Sequence, residues 1–159
     1  MTEQALTDLK VIELAEFVSG PYCTKMLADL GAEVIKVEKP GVGDIARRLG
    51  PFPDDVPHPE KSGLFLYLNS NKLGVTLNIE TATGRKILKQ LIEDADVFVE
   101  SNPQKMMGQL GLDYESLKEI NPKLVMVSIT PWGHTGPYRG YKGYDINIMA
   151  GSMLMSYPL

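Results

Sequence analysis

A strand–helix–strand pattern near the start of the chain limits the possible folds to a small set. The run Lys10–Leu14 is typical of a short buried strand, and Val34–Val37 of a second, β-branched one. Between them, Gly20 and Pro21 favour the start of a helix, and Gly31 suits a left-handed cap at its end. Because strands joined through a helix run parallel, the pattern predicts a βαβ unit within a parallel sheet.

The same alternation continues along the chain. Strands are predicted at Gly74–Ile79, Asp96–Val99 and Leu124–Ile129. Helices are predicted after Thr81 or Thr83 and after Asp113, which can each serve as an N-cap. The fold class is therefore α/β, with a doubly wound, mostly parallel sheet of Rossmann-like type. The first helix is predicted to carry one apolar face, formed by Cys23, Met26, Leu27 and Leu30.

Composition narrows the class of protein. With 159 residues, 43% hydrophobic and 23% charged, the chain suits one globular domain. A formal net charge of −4 gives no basis for non-specific nucleic-acid binding, and a single cysteine, Cys23, fits a reducing cytoplasm. The apolar stretch Ile146–Leu159 is too short to span a bilayer, and no signal peptide is visible. We expect a cytoplasmic protein without membrane or nucleic-acid partners.

Several common chemistries lack their motifs. The first strand–helix connection, Ala15–Gly20, contains no Gly-x-Gly-x-x-Gly, and the chain has no Walker-type Gly-Lys-Ser/Thr loop. His58 and His134 are far apart in sequence, so no metal site is predicted. The Gly-x-Ser-x-Gly elbow of serine hydrolases is also missing. None of these four common kinds of site is therefore predicted for the chain.

The loop after the second predicted strand raises a question of its own. It carries Lys39, Gly41 and Gly43 at the carboxyl end of a parallel strand, where ligands of such sheets bind. The lysine can hold an anion, and the glycines can admit a ligand close to the backbone. A solvent-exposed lysine and a tight turn explain the same residues equally well. A second loop, Gly50–Lys61, holds four prolines and is predicted to be a surface loop or lid.

An ordered series of motifs resembles the class III CoA-transferases, which include formyl-CoA transferase, the carnitine and bile-acid-inducible CoA-transferases and the α-methylacyl-CoA racemases. The series covers nearly the whole chain: Leu9–Leu14, Gly20-Pro21, Met26–Glu38, Gly41–Asp44, Leu68–Lys72, Gly84, Ala95–Val97, Gly111–Tyr114, Asn121-Pro122, Gly133–Pro137 and Gly143–Asp145. The resemblance implies that residues 1–159 form the N-terminal part of a large CoA-binding domain.

The resemblance also implies which residues contact coenzyme A or acyl-CoA. Lys39 and Lys142 are expected to meet its phosphates, and Leu77–Ile79 its adenosine. Ser101 and Asn102 stand where many relatives have an asparagine and an aromatic residue, and Gln109 and Glu80 replace basic residues found in some relatives. The expected cofactor-binding set is Val18, Ser19, Lys39, Leu77, Asn78, Ile79, Ser101, Asn102 and Lys142.

Catalysis in this family uses an aspartate nucleophile that forms an acyl anhydride and then a CoA thioester. Motif spacing places that aspartate after Leu159, so no catalytic residue and no metal ligand is assigned. Asp145, the only acid in residues 120–159, is interpreted as the N-cap of a helix over Ile146–Leu154. We expect the chain to be truncated and inactive alone, lacking a second, smaller domain. Full-length relatives form interlocked homodimers that act on acyl-CoA and carboxylic acids.

Two other functions stay open. The first is a non-catalytic CoA-binding fragment or subunit. The second is an acyl-CoA racemase, whose relatives usually carry a histidine as the proton-transfer base. Tyr144 stands at that position, and a phenol with a pKa near 10 is a poor base at neutral pH.

Overall fold

The computed structural model describes residues 4–152, which build a five-stranded sheet of order β3-β2-β1-β4-β5. Every pairing between neighbouring strands is parallel. The strands are β1 Lys10–Leu14, β2 Glu33–Glu38, β3 Lys72–Thr76, β4 Val97–Glu100 and β5 Val125–Ser128. The helices are α1 Ser19–Asp29, α2 Gly63–Leu68, α3 Ala82–Glu93, α4 Gln104–Leu110, α5 Tyr114–Ile120 and α6 Asp145–Gly151.

Helices cover both faces of this sheet and create two apolar cores. The larger core surrounds Phe98 and receives Leu88 from α3, Met107 from α4 and Leu117 from α5. The smaller core joins Ala28 of α1 to strand residues on the opposite face. The predicted α/β, doubly wound, parallel fold is therefore confirmed.

The face that α1 turns to the sheet differs from the predicted apolar face. Met26 is 48% exposed and Leu30 50% exposed, while Cys23 and Leu27 are only partly buried. The buried side of α1 is built from smaller residues: Gly20, Pro21, Thr24 and Ala28. Small side chains let a helix approach the sheet closely, and here the approach also brings the Thr24 hydroxyl to a buried carboxylate on β1. The prediction from apolar spacing was wrong for Met26 and Leu30.

Strand β3 begins and ends earlier than predicted. It covers Lys72–Thr76 rather than Gly74–Ile79, so Asn78 and Ile79 lie in the connection to α3. The N–H of Leu77 still donates to the Glu38 carbonyl (3.0 Å), after which the Asn78 carbonyl accepts from the N–H of Thr81. Thr81, rather than Thr83, caps α3, because its Oγ1 accepts from the N–H of Gly84. Formation of this cap ends the strand.

The remaining elements agree closely with the pattern, with two additions and one correction. Asp113 caps α5 as predicted, its Oδ1 accepting from the N–H of Ser116 (3.0 Å). Helices α2 and α4 were not predicted; both are short, with six and seven residues. Asp145 is the first residue of α6 and not its N-cap; Tyr144 holds the N-cap position, and its N–H donates to Asn147 Oδ1 (2.6 Å). Residues 153 and 154 of the predicted helix lie outside the described residues.

The proline-rich segment Gly50–Lys61 is a surface loop, as predicted. It contains one short 3₁₀ turn, Pro53–Asp55, and most of its residues are exposed. Arg47 holds its far end by donating to Glu60 Oε1 at 3.0 Å. A function of this loop as a lid stays a prediction. Within residues 4–152, none of the helices has both the length and the apolar character needed to cross a bilayer.

Candidate functional site

A crevice of about 220 Å³ opens where β1 and β2 end and where the chain leaves β3 and β4. This is the carboxyl edge of the sheet, where parallel α/β folds bind ligands. Its walls come from four separate stretches of sequence. They comprise Leu14, Ala15, Glu16, Val37, Lys39, Leu77, Asn78, Ile79, Glu80, Asn102 and Met106.

A cation and a carboxylate stand together at this crevice. Lys39 Nζ lies 3.0 Å from Glu80 Oε1, and the two side chains are 49% and 59% exposed. The pair is therefore open to solvent, and an incoming anion can compete with Glu80 for the ammonium group. Lys39 was predicted either to hold an anion or to be a solvent-exposed lysine, and in the structure it lines the crevice.

The interior of the crevice combines apolar side chains with amides. Leu77, Ile79 and Met106 supply the apolar surface. Asn78 and Asn102 are partly occupied by local contacts, since Asn78 Oδ1 accepts from the N–H of Glu80 and Asn102 Nδ2 donates to the Leu14 carbonyl. An apolar floor with a cation at its side suits a ligand that carries both a flat ring and a phosphate.

The predicted binding residues divide into two groups. Those that line the crevice are Lys39, Leu77, Asn78, Ile79 and Asn102. Those that do not line it are Val18, Ser19, Ser101 and Lys142. Val18 and Ser19 are the N-cap and first residue of α1, two and three residues after Glu16, whereas Lys142 is exposed in the segment before α6. Ser101 faces the first loop, where its Oγ accepts from the N–H of Glu16 (3.2 Å).

The two glycines after β2 form a turn and do not line the crevice. Gly41 and Gly43 have φ angles of +72° and +67°, in the left-handed region that favours glycine. The N–H of Gly43 donates to the Lys39 carbonyl at 2.9 Å, which closes the turn. The structure thus supports the tight-turn interpretation.

A buried group of charges lies behind the first loop of the crevice. Lys36 Nζ is 2.7 Å from Glu13 Oε1 and 2.8 Å from Asp44 Oδ2, and Lys72 Nζ is 2.8 Å from Glu13 Oε2. Burial lowers the pKa of Lys36, but the Glu13 and Asp44 carboxylates outweigh it and the net shift is upward. Burial also lowers the pKa of Lys72, and there Glu13 only partly offsets it.

This charged group was missed at the level of sequence, although a signal existed. Glu13 and Lys36 each interrupt a run of apolar residues within a strand, and the register of β1 and β2 sets them side by side. Opposite charges inside two adjacent buried strands predict an internal ion pair, since an isolated buried charge is too costly to retain.

Glu16, on the crevice wall, was likewise missed. Partial burial raises the pKa of its carboxyl group, and the nearby Asp44 carboxylate raises it further. Glu16 reaches the crevice because the chain bends after β1, and no local sequence pattern predicts this bend.

A second, wider groove of about 360 Å³ runs along the outer side of α3, next to Ile120. Arg85, Lys86 and Lys89 give it a basic character, but no strand end contributes to it. It lacks the convergence of loops that marks a binding edge in this fold. Among residues 4–152, no group of three or more His, Cys, Asp and Glu residues is arranged to hold a metal ion.

Comparison with known proteins gives consistent relatives. The model of CoA-transferase family III matches residues 6–158. A succinate–glutarate CoA-transferase from Agrobacterium fabrum is 40% identical over 95% of this chain, and a human succinyl-CoA:glutarate CoA-transferase is 42% identical over 94%. A formyl-CoA:oxalate CoA-transferase from Escherichia coli is 40% identical over 88%.

Solved structures agree with the sequence relatives. A CAIB/BAIF family protein from Brucella suis superimposes with a TM-score of 0.86 and 41% identity over 96% of this chain. The chain spans 38% and 33% of the two succinate–glutarate and succinyl-CoA:glutarate relatives and 40% of the Brucella protein. The fold, the sequence identity and the near-complete match of the family model lead to one conclusion: the chain belongs to CoA-transferase family III.

Proposed function

We propose that the crevice at the carboxyl edge of the sheet binds the CoA portion of an acyl-CoA. The observation that carries this proposal is the meeting of Lys39 with Leu77–Ile79 and Asn102 from three distant stretches of sequence. The apolar side chains of Leu77 and Ile79 suit the adenine ring, and the ammonium group of Lys39 suits a phosphate. Family membership supports the assignment of this ligand.

We further propose that the whole protein transfers CoA from an acyl-CoA to a carboxylic acid. An aspartate carboxylate attacks the thioester and forms an acyl anhydride; CoA thiolate then releases the acid and leaves an aspartyl thioester, which passes CoA to the acceptor. Asp145 is the first residue of α6 and does not line the crevice. We propose, from the family resemblance, that the nucleophile lies after Leu159.

The relatives suggest the class of substrate. Proteins that match this chain at 40–42% identity are named for transfer between succinate or succinyl-CoA and glutarate, or between formyl-CoA and oxalate. Three of the four acids in these names are dicarboxylic. We propose a dicarboxylic acid as the acceptor, and succinyl-CoA with glutarate and formyl-CoA with oxalate are the first pairs to assay.

Calorimetric titration of CoA tests the binding site. Lys39→Ala should raise the Kd for CoA about tenfold, because it removes one charge-assisted hydrogen bond to phosphate. Lys123→Ala is the matched control: it removes an exposed lysine just before β5, at the opposite edge of the sheet. Equal affinity of the wild type and Lys39→Ala for CoA would remove this site assignment.

A transfer assay separates the enzyme from the alternative of a non-catalytic CoA-binding subunit. The purified protein should convert one of the two substrate pairs, with exchange of CoA detected by mass spectrometry. Tight CoA binding without transfer to any dicarboxylic acid would instead favour the binding subunit. Turnover by residues 1–159 alone would contradict the proposed position of the nucleophile and make Asp145 the first residue to replace.

A further inference from the structure

The connection between β1 and α1 adopts an unusual backbone conformation. Phe17 has a φ angle of +70°, in the left-handed region that residues other than glycine seldom occupy. Burial of its ring does not explain this conformation, since Phe17 is 41% exposed. A conformation of this kind persists only where surrounding groups enforce it, and such residues cluster at ligand sites.

Asp44 supplies the enforcing contact. Its Oδ1 accepts from the N–H of Phe17 at 3.0 Å and from the N–H of Ala46 at 2.8 Å, and the residue is completely buried. Its Oδ2 lies 2.8 Å from Lys36 Nζ. Lys36 in turn donates to the carbonyl of Ala15 at 2.8 Å. The Lys36–Asp44 pair therefore binds the loop backbone on both sides of Glu16, at the Ala15 carbonyl and at the Phe17 N–H.

Two further side chains, from the segment directly after β4, hold the end of β1 and the start of this loop. Asn102 Nδ2 donates to the Leu14 carbonyl at 2.9 Å, and Ser101 Oγ accepts from the N–H of Glu16 at 3.2 Å. Both residues were predicted to contact CoA directly. In the structure their polar groups are engaged with the backbone of this loop, and only Asn102 also lines the crevice.

We propose that Asp44, anchored by Lys36, is a positioning residue that holds Ala15–Phe17 in the conformation needed to bind CoA. This inference rests on the proposed function of the crevice. Neither group is offered to the ligand: Asp44 and Lys36 are buried and act only through the loop. In this conformation Glu16 lies on the crevice wall. The loop leads directly into the first turn of α1, where backbone N–H groups have no acceptor within the helix.

The test combines two variants of the loop with a matched control. Asp44→Ala should raise the Kd for CoA about tenfold and speed hydrogen exchange of the Phe17 amide by a similar factor, because a charge-assisted hydrogen bond is lost. Adding Phe17→Gly should bring the Kd back to within about threefold of wild type, since glycine adopts positive φ without steric cost. Asp113→Ala removes the carboxylate that caps α5, outside the crevice, and should leave the Kd unchanged.

Each other outcome counts against the inference or against the proposed function. An unchanged Kd or an unchanged rate of Phe17 exchange in Asp44→Ala overturns the inference, as does a raised Kd that Phe17→Gly fails to restore. If Asp44→Ala does not fold, Asp44→Asn retains an acceptor but loses the charge facing Lys36; we expect about a threefold loss of affinity, and no loss overturns the inference. If the wild type does not bind CoA, the proposed function fails, and Phe17 exchange alone decides whether Asp44 holds the loop.

Discussion

Lys39 and Glu80 form an exposed ion pair that a bound anion can break at small cost. The atoms are 3.0 Å apart, but about half of each side chain is exposed, and exposed pairs stabilise a protein by only about 0–1 kcal/mol. A phosphate that arrives at Lys39 can therefore displace Glu80 at small cost. At the same time Glu80 repels that phosphate and keeps the ammonium group occupied, so it should weaken binding of an anionic ligand.

Replacing Glu80 should reveal this competition. Glu80→Gln should lower the Kd for CoA by about two- to fivefold, since the exposed pair is worth up to about 1 kcal/mol. Titration at low and high salt measures the effect, which should shrink as salt screens the charges. Glu33→Gln makes the same change in net charge at the amino end of β2. Equal gains in both variants, or no gain in Glu80→Gln, would contradict the local competition.

At the scale of elements, sequence patterns correctly predicted those features that depend on neighbouring residues in the chain. The β1–α1–β2 unit, the cap at Asp113 and the left-handed Gly31, with φ of +105°, all appear as expected. The errors arose where tertiary packing decides. Apolar spacing on α1 could not show that the helix would turn Thr24 and Ala28 to the sheet and leave Met26 exposed. Apolar residues after β3 could not show that a capped turn would end the strand at Thr76.

The turn between β3 and α3 should tolerate almost no added volume. A Cβ at Gly84 would lie 2.0 Å from the Asn78 carbonyl oxygen, so the crevice segment must shift to accept one. We expect Gly84→Ala to lower the free energy of unfolding by about 1–3 kcal/mol and to weaken CoA binding. Urea unfolding measures the first effect and calorimetry the second.

A glycine in another helix provides the contrast. At Gly108 in α4 the nearest atom to an added Cβ is Asp113 Oδ2, at 4.0 Å. Gly108→Ala should therefore stabilise the protein by about 0.5–1 kcal/mol through the better helix propensity of alanine. If both variants changed stability by the same amount, the close packing of Gly84 on Asn78 would not be a determinant of the turn.

At the scale of the whole molecule, the sheet edge was predictable and the detailed composition of the site was not. Lys39 was predicted from its place after β2 and from the family resemblance, and Leu77–Ile79 from the resemblance alone; all of them line the same crevice. Lys142 and Ser101 were expected beside them, but both lie outside the crevice lining. The position of such residues depends on the path that each loop takes after its strand, which the sequence pattern does not specify. The buried Lys36–Asp44 pair joins a residue of β2 to one after the following turn, and only the folded chain brings the two side chains together.

The central claim is that CoA binds at the carboxyl edge of the sheet. A crystal structure of the protein grown with CoA tests it most directly. We expect the adenine ring against Leu77 and Ile79 and a phosphate oxygen within about 3.5 Å of Lys39 Nζ, in place of Glu80. Density for CoA on the basic groove of α3 beside Arg85 and Lys89, with the Lys39–Glu80 pair intact, would contradict the account.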